Sequence, residues 1–330
     1  MDLAQCAASR VIAAGTLIDS RYRLIARLGR GAVADVWRAA DERLHRHVAL
    51  KLFGPDSTDP ARERAELELL ARLSHPGLVT VFDAGVDDHP FTGRRAYLVM
   101  ELVDGPTLRQ HMVGGPLDPD QVAHFGAQLS QALSYVHGRG VIHRDVKPAN
   151  ILLRPDTRIV KLTDFGMARE LNAARITAAG HVVGTANYLS PEQLRGEQST
   201  PASDVYALGL VLLESLTGTP AFPGVGIAAA LVRLTRAPEI PMRWGRDWHA
   251  VLTRALVDDP GVRPSAAELA MRLAAVAADP DPHYEPPVIE TADSDDEVLP
   301  LSVGQWQVPP ERQRRFGPRR SGKHRRRQAA

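Results

Sequence analysis

The sequence predicts an α+β fold of two lobes, a small antiparallel-sheet lobe with one main helix followed by a larger, mostly helical lobe. Three observations predict it. Between Leu17 and Phe53 short apolar alternations (YRLIARLG, ADVWRA, HVALKLF) are broken by glycines and charges, the pattern of antiparallel strands joined by turns. Beyond Val103 the apolar residues fall at helical spacing over long stretches. Apolar residues make up 44% of the chain, enough to bury a sizeable core.

Taken in order, residues 1–16 form a leader without a strong pattern, and residues 17–278 form the folded domain, divided into lobes at 17–102 and 103–278. After the first strands, Pro60–Leu73 reads as the small lobe's helix, with Leu67, Leu70 and Leu73 on one side. Two further strand-like runs follow, LVTVFDAG (78–85) and RAYLVMEL (95–102). Helices are predicted over Pro119–His137, Ser203–Thr217, Trp248–Leu256 and Ser265–Ala277. The stretch Ala207–Leu213 stops at Glu214 and falls far short of the ~20 apolar residues that span a bilayer, so it reads as a buried helix. From 279 to 330 the chain turns proline-rich, then acidic, then basic, a composition that cannot offset ordering entropy, and a disordered tail is expected.

The net charge of +1 hides an asymmetry. Residues 311–330 hold nine Lys/Arg against one acid, while residues 1–310 hold 31 against 38. The single cysteine, Cys6, cannot form an internal disulfide, and MDLAQCAASR lacks the basic-then-apolar order of a signal peptide. A cytoplasmic protein is the expectation.

The chemistry-bearing residues come in three groups. In LGRGAVADVW (28–37) glycines let the backbone close over phosphate oxygens, although a glycine pair alone is more often a plain hairpin turn. A strand follows that loop, not a helix, which argues against a dinucleotide-binding turn. Lys51 ends the apolar VALK, where an ammonium needs a partner, and Glu63, Glu66 and Glu68 lie on the following helix. The third group is the decisive one. VIHRDVKPANILL (141–153) delivers His, Arg, Asp, Lys and Asn to the edge of a core. IVKLTDFG (159–166) then ends a second apolar strand in Asp164-Phe165-Gly166. Asp145 can accept a hydroxyl proton and Lys147 can neutralise a phosphoryl oxygen. Asn150 and Asp164 can ligate a hard cation.

With these motifs in the order LGRGAVA, VALK, a helical Glu, HRDVKPAN, DFG, SPE and DVYALG, the chain resembles the eukaryotic-type (Hanks-type) serine/threonine protein kinases, most closely their bacterial branch. The resemblance covers roughly residues 17–277 and implies a bilobal protein-kinase fold that uses ATP and magnesium, with manganese as a substitute, to phosphorylate protein Ser/Thr hydroxyls, its own included. It implies that Lys51 holds phosphates and pairs with Glu66, that Asp145 and Lys147 serve the transfer, and that Asn150 and Asp164 hold the metal. Gly29 and Gly31 cover the phosphates. Adenine is expected between Leu28, Val36 and Ala49 above and Leu152 below, bonded to backbone near Glu101 and Val103, with Met100 guarding the back. Leu70, Val81, His143 and Phe165 resemble the apolar stack that ties the lobes together in the active state. Glu192 is expected to pair with Arg263, and Asp204 to hold the catalytic-loop backbone. The one departure is Ala34 at the loop's third glycine position, which removes no N–H donor and is expected to be tolerated.

The resemblance also implies an activation segment between DFG and SPE. Thr177 is the expected phosphosite, ordered through Arg144, and Thr185 is expected to contact Asp145 and the substrate. Relatives pair through the small lobe, so a kinase-domain homodimer for trans-autophosphorylation is an open partner expectation. The basic tail reads as solvated, as a contact for acidic lipid, or as an arm for acidic partners, and no specific nucleic acid is predicted. Many relatives carry a membrane helix and a sensor after the kinase domain; neither is expected here. The competing readings are a nucleotide-binding pseudokinase, which the intact Lys51, Asp145 and Asp164 disfavour, and a small-molecule kinase, which the SPE and GTANYL segments disfavour.

Overall fold

The structure, a computed structural model, describes residues 12–31, 34–54, 71–89, 93–154, 159–165, 186–222, 224 and 231–278. All of these lie in the first of the chain's two units, Met1–Glu285, and the second, Pro286–Ala330, is outside the described residues. Among the described residues no helix is long and apolar enough to cross a membrane.

Six strands make one antiparallel sheet: β1 (Leu17–Ile18), β2 (Tyr22–Arg30), β3 (Ala34–Asp41), β4 (Arg46–Phe53), β5 (Val81–His89) and β6 (Gly93–Met100), in the order β1-β2-β3-β4-β6-β5. The alternation of β2 and β3 sends Tyr22, Leu24, Trp37 and Ala39 inward against Val48, Leu50, Tyr97 and Val99. The turn from β3 to β4 is held by Asp41, a buried carboxylate that accepts the backbone N–H of Arg43 and Leu44. Arg21 pairs with the same carboxylate through Nε and Nη2 at 2.9 and 2.8 Å, which holds it below the ordinary carboxylate range. The expected helix over Pro60–Leu73 falls mainly outside the described residues.

One strand boundary differs from the sequence expectation. The run 78–85 does not act as one strand: Val81 onward pairs with β6, while Leu78 bridges Leu162 in parallel and Val79 donates to the Leu162 carbonyl at 3.0 Å. The apolar stretch is continuous, but its pairing partner changes at Thr80. Likewise Glu101 and Leu102 continue the expected strand in composition, yet pairing ends at Met100.

The larger lobe is built on α1 (Leu108–His111), α2 (Pro119–His137), α3 (Pro191–Leu194), α4 (Pro201–Thr217), α5 (Gly245–Ala255) and α6 (Ala266–Ala278), with the hairpin β7 (Ile151–Arg154) and β8 (Ile159–Leu162) laid on one side. Helix α2 starts at Asp118, whose carboxylate accepts the N–H groups of Asp120 and Gln121, with Pro119 in the first turn where no donor is needed. Helix α4 is mostly apolar and buried on every side from Ser203 through Leu216, the mark of a central helix. It stops at Gly218, whose left-handed φ of 74° returns its N–H to the Glu214 carbonyl. Leu208, Val211, Leu212 and Leu216 of α4 join Leu129 and Leu133 of α2, Leu252 of α5 and Leu269 and Leu273 of α6 in one core. That rigid core carries the polar loop between α2 and β7.

Candidate active site

The loop 141–150 leaves the core with polar residues whose positions are set from beneath by Asp204 of α4. This carboxylate, 1% exposed, accepts the backbone N–H of His143 and of Arg144, each at 2.8 Å, and meets His137 Nε2 at 2.8 Å. Arg144 sits at φ +66°, a left-handed conformation that a non-glycine residue holds only when its surroundings impose it. Asp204→Asn keeps one acceptor oxygen but turns an N–H₂ group toward the other donor. Denaturant unfolding should register a loss of about 1–3 kcal/mol; an unchanged midpoint would contradict the anchoring role.

His143 is fully buried, and burial holds its imidazole below the ordinary histidine value despite the nearby Asp204 and Asp145 carboxylates. The neutral ring then has one tautomer that fits: Nε2–H donates to the Thr163 carbonyl at 3.0 Å and Nδ1 accepts the Asp145 N–H at 3.3 Å. The ring also lies 4.6 Å from Phe165, centroid to centroid. Val81, a third member of the expected stack, packs against both the large core and the cleft-side cluster. Leu70, the fourth, lies outside the described residues.

The expected catalytic residues converge. Lys147 Nζ lies 2.7 Å from Asp145 Oδ2, and Asn150 Nδ2 donates to the Asp145 carbonyl and to Oδ2, both at 2.9 Å. Across the cleft Lys51 Nζ meets Asp164 Oδ1 at 2.8 Å, both side chains being part-buried. Asp164, like Arg144, is a non-glycine residue in the left-handed region, at φ +59°. The donor set fits a divalent cation carried with phosphates. Asn150 spends its amide N–H₂ on Asp145, which leaves the amide oxygen as its ligand atom. Its Nδ2 also reaches to 3.5 Å from the Asp164 carbonyl, so the amide and the second carboxylate are neighbours. Glu66, the expected partner of Lys51, lies outside the described residues, as do Gly166, Thr177 and Thr185.

Beside this polar group lies an apolar cluster of Ala49, Val79, Leu98 and Met100, against which Val36, Leu102, Val103 and Leu152 pack. Ala49 and Met100 are direct cross-strand partners. Glu101 donates its N–H to the Thr80 carbonyl at 2.8 Å as the chain leaves β6. Leu28 stands apart: it falls at the irregularity between Arg27 and Gly29, is 54% exposed, and is not packed on this cluster among the described residues. Gly29 pairs with Val36 and would tolerate a Cβ. Gly31 would not, because a Cβ there meets the Ala34 carbonyl oxygen at 2.9 Å. That carbonyl accepts the Gly31 N–H at 2.9 Å, so Ala34 contributes to the loop through its backbone.

The segment 187–195 is fastened at several points to the lobe below. Tyr188 Oη donates to Glu214 at 2.5 Å and Arg109 donates to both at 2.7 and 3.0 Å. Arg233, buried enough to bring its guanidinium down to about 10, donates to the carbonyls of Leu189 and Asn187. Glu192 is paired with Arg263 as expected, through two bonds of 2.8 Å. The sequence signalled the last pair through SPE and a late arginine, and it marked Glu214 only as the end of an apolar run.

The chain matches the protein kinase domain family over residues 22–272. It is 39% identical over 284 residues to the serine/threonine-protein kinase PknA of Mycobacterium tuberculosis (strain ATCC 25618 / H37Rv), covering 83% of this chain and 66% of that protein. It is 41% identical over 304 residues to PknB of Mycobacterium leprae (strain TN), covering 88% and 48% respectively. Against PknB of Mycobacterium tuberculosis (strain ATCC 25177 / H37Ra) it is 43% identical over 265 residues, covering 76% and 42%. The matched part is thus just under two thirds of the PknA relative and under half of the PknB relatives.

Proposed function

The chain belongs to the protein kinase family, and we propose that it is a serine/threonine protein kinase that transfers the γ-phosphate of ATP to Ser/Thr hydroxyls of proteins, its own included. The observation that carries this reading is the convergence of Lys51–Asp164 with Asp145, Lys147 and Asn150 beside an apolar cleft. Asp145 orients the attacking hydroxyl and takes its proton as the oxygen bonds to the γ-phosphorus and the bond to the β-phosphate oxygen breaks, releasing ADP. Lys147 and Lys51 offset the charge on the phosphoryl oxygens. Asp164 and Asn150 would hold magnesium, or manganese in its place, which when bound neutralises charge shared by the β- and γ-phosphates. Adenine fits the cleft of Val36, Ala49 and Leu152, its ring edge facing the backbone at Glu101 to Val103.

The domain we assign to this activity is 17–278, with protein substrates approaching over the fastened segment 187–195. Transfer of label from ATP to the chain itself or to a generic basic protein, with magnesium present, tests the reading. Nucleotide binding without any transfer would overturn it in favour of a pseudokinase. We further propose that Thr177 is phosphorylated between copies of the chain, its phosphate pairing with Arg144, and that Thr185 positions the substrate hydroxyl. Mass spectrometry of protein incubated with ATP should find phosphate on Thr177 and none in an Asp145→Asn variant. An active enzyme with unmodified Thr177 contradicts the assignment. The basic stretch 311–330 suits a contact with acidic lipid or an acidic partner.

A further inference from the structure

Lys161 lies in β8 with its side chain only 9% exposed. Its ammonium donates to Glu101 Oε2 at 2.8 Å and to the Leu78 carbonyl at 3.1 Å. Glu101 is held twice more, by its own N–H to the Thr80 carbonyl at 2.8 Å and by the Thr80 N–H to Oε2 at 3.3 Å. The lysine is buried and the glutamate about one-fifth exposed, and a pair so placed confers little net stability over an apolar pair of similar volume, because the ammonium loses its hydration. Its presence therefore calls for an account other than holding the fold together.

The elements it joins supply one. Glu101 is the first residue beyond β6, where the chain leaves the sheet and runs along the cleft to Leu102 and Val103. Lys161 is the cross-strand partner of Leu152, which packs on the apolar cluster of the cleft and which the proposed function sets beneath the base. The neighbouring Leu162 is tied to the same approach segment, donating to the Gly77 carbonyl at 2.8 Å and accepting from Val79 at 3.0 Å. One ammonium thus fastens the backbone edge of the cleft to the strand that carries its floor.

We propose that Lys161 is a positioning residue for the nucleotide: through Glu101 it sets the spacing between the backbone edge at Glu101–Val103 and the floor at Leu152, without touching the ligand. This inference rests on the nucleotide-binding half of the proposed function. With the fold intact, loss of the brace leaves the transfer residues in place and loosens only the slot that grips the base.

The test is titration of the full chain with a fluorescent ATP analogue, together with steady-state kinetics and thermal melting, for wild type, Lys161→Met, Lys161→Arg, Glu101→Gln and the double variant Lys161→Met/Glu101→Gln. Lys161→Met is expected to weaken the nucleotide by about tenfold, the loss of a charge-assisted bond, with KM for ATP rising in parallel and kcat within about twofold. Lys161→Arg recovers to within about threefold, and the double variant binds no more weakly than Lys161→Met, since both remove one interaction. A purely structural role lowers the melting temperature while leaving affinity alone, so Lys161→Met affinity within about twofold of wild type overturns the proposal. If Lys161→Met does not fold, Glu101→Gln decides: an affinity within about twofold of wild type overturns it equally. A wild type that binds nucleotide but transfers no phosphate sinks the kinase reading, and the binding arm still decides this one.

Discussion

Asp145→Asn is expected to lower kcat by about 10²–10⁴-fold, the range that a positioned general base contributes, while nucleotide affinity stays close to wild type. The carboxylate sits at the meeting point of two donors, Lys147 Nζ at 2.7 Å and Asn150 Nδ2 at 2.9 Å, both on Oδ2. An asparagine can keep its oxygen toward those donors, so the loop geometry survives, but its N–H₂ group then occupies the other position and cannot take a proton. The apolar cluster of Ala49, Met100 and Leu152, proposed to hold adenine, is built from strands outside this loop and is unaffected. Single-turnover transfer at saturating ATP and magnesium, paired with a nucleotide titration, separates the two effects. Residual turnover above about a tenth of wild type would remove Asp145 from the role of base, and a parallel loss of binding would make it structural.

That these residues could be expected to meet reflects how geometry is written into a chain. Asp145, Lys147 and Asn150 lie within six positions, so a single loop brings them together, and Asp164 follows two residues past a strand that must pair back against β7. Short spacing between apolar runs transmits geometry well. Asp204 and the Glu192–Arg263 pair were also legible, because each lies in a recognisable motif and finds the partner expected of it. The contacts that sequence did not disclose join residues with no common motif. Lys161 is one cation inside an apolar strand of β8, and Glu101 is one acid at a strand end 60 positions away. A charge in a run otherwise fit for burial was the only signal, and it named no partner. Tyr188 and Arg109 of the Glu214 cluster are likewise 79 positions apart. The split of 78–85 between two partners was hidden for a related reason: apolar composition says that a segment is buried, not which strand it meets.

Arg263→Ala is expected to cost about 3–5 kcal/mol, because it removes one partner of a buried pair and leaves the other charge uncompensated. The guanidinium is fully buried. Besides Glu192 it serves the carbonyls of Val257, Ala202 and Asp258, and it lies 4.8 Å from the centre of the Tyr206 ring. Burial alone would raise the Glu192 carboxyl, but Arg263, with Ser203 and nearby donors, outweighs it and holds the group at about 2, below its ordinary 4.5. The sign of the pH dependence follows. A depressed carboxylate contributes stability that is fully present above about 4.5 and is lost as pH falls through about 2. In Arg263→Ala the depressing partner is gone while burial remains, so protonation relieves the defect, and the gap from wild type should narrow as the solution is acidified. Arg263→Met with Glu192→Gln, which removes both charges and keeps much of the volume, should recover a large part of the loss. Urea unfolding at neutral pH and near pH 4 for the three proteins distinguishes these outcomes. A gap that stays constant with pH would mean that the arginine acts through its three carbonyls and not through Glu192. Because Glu192 lies in the first turn of α3, within the fastened segment 187–195, the same variant should also lose protein-substrate phosphorylation before it loses nucleotide binding.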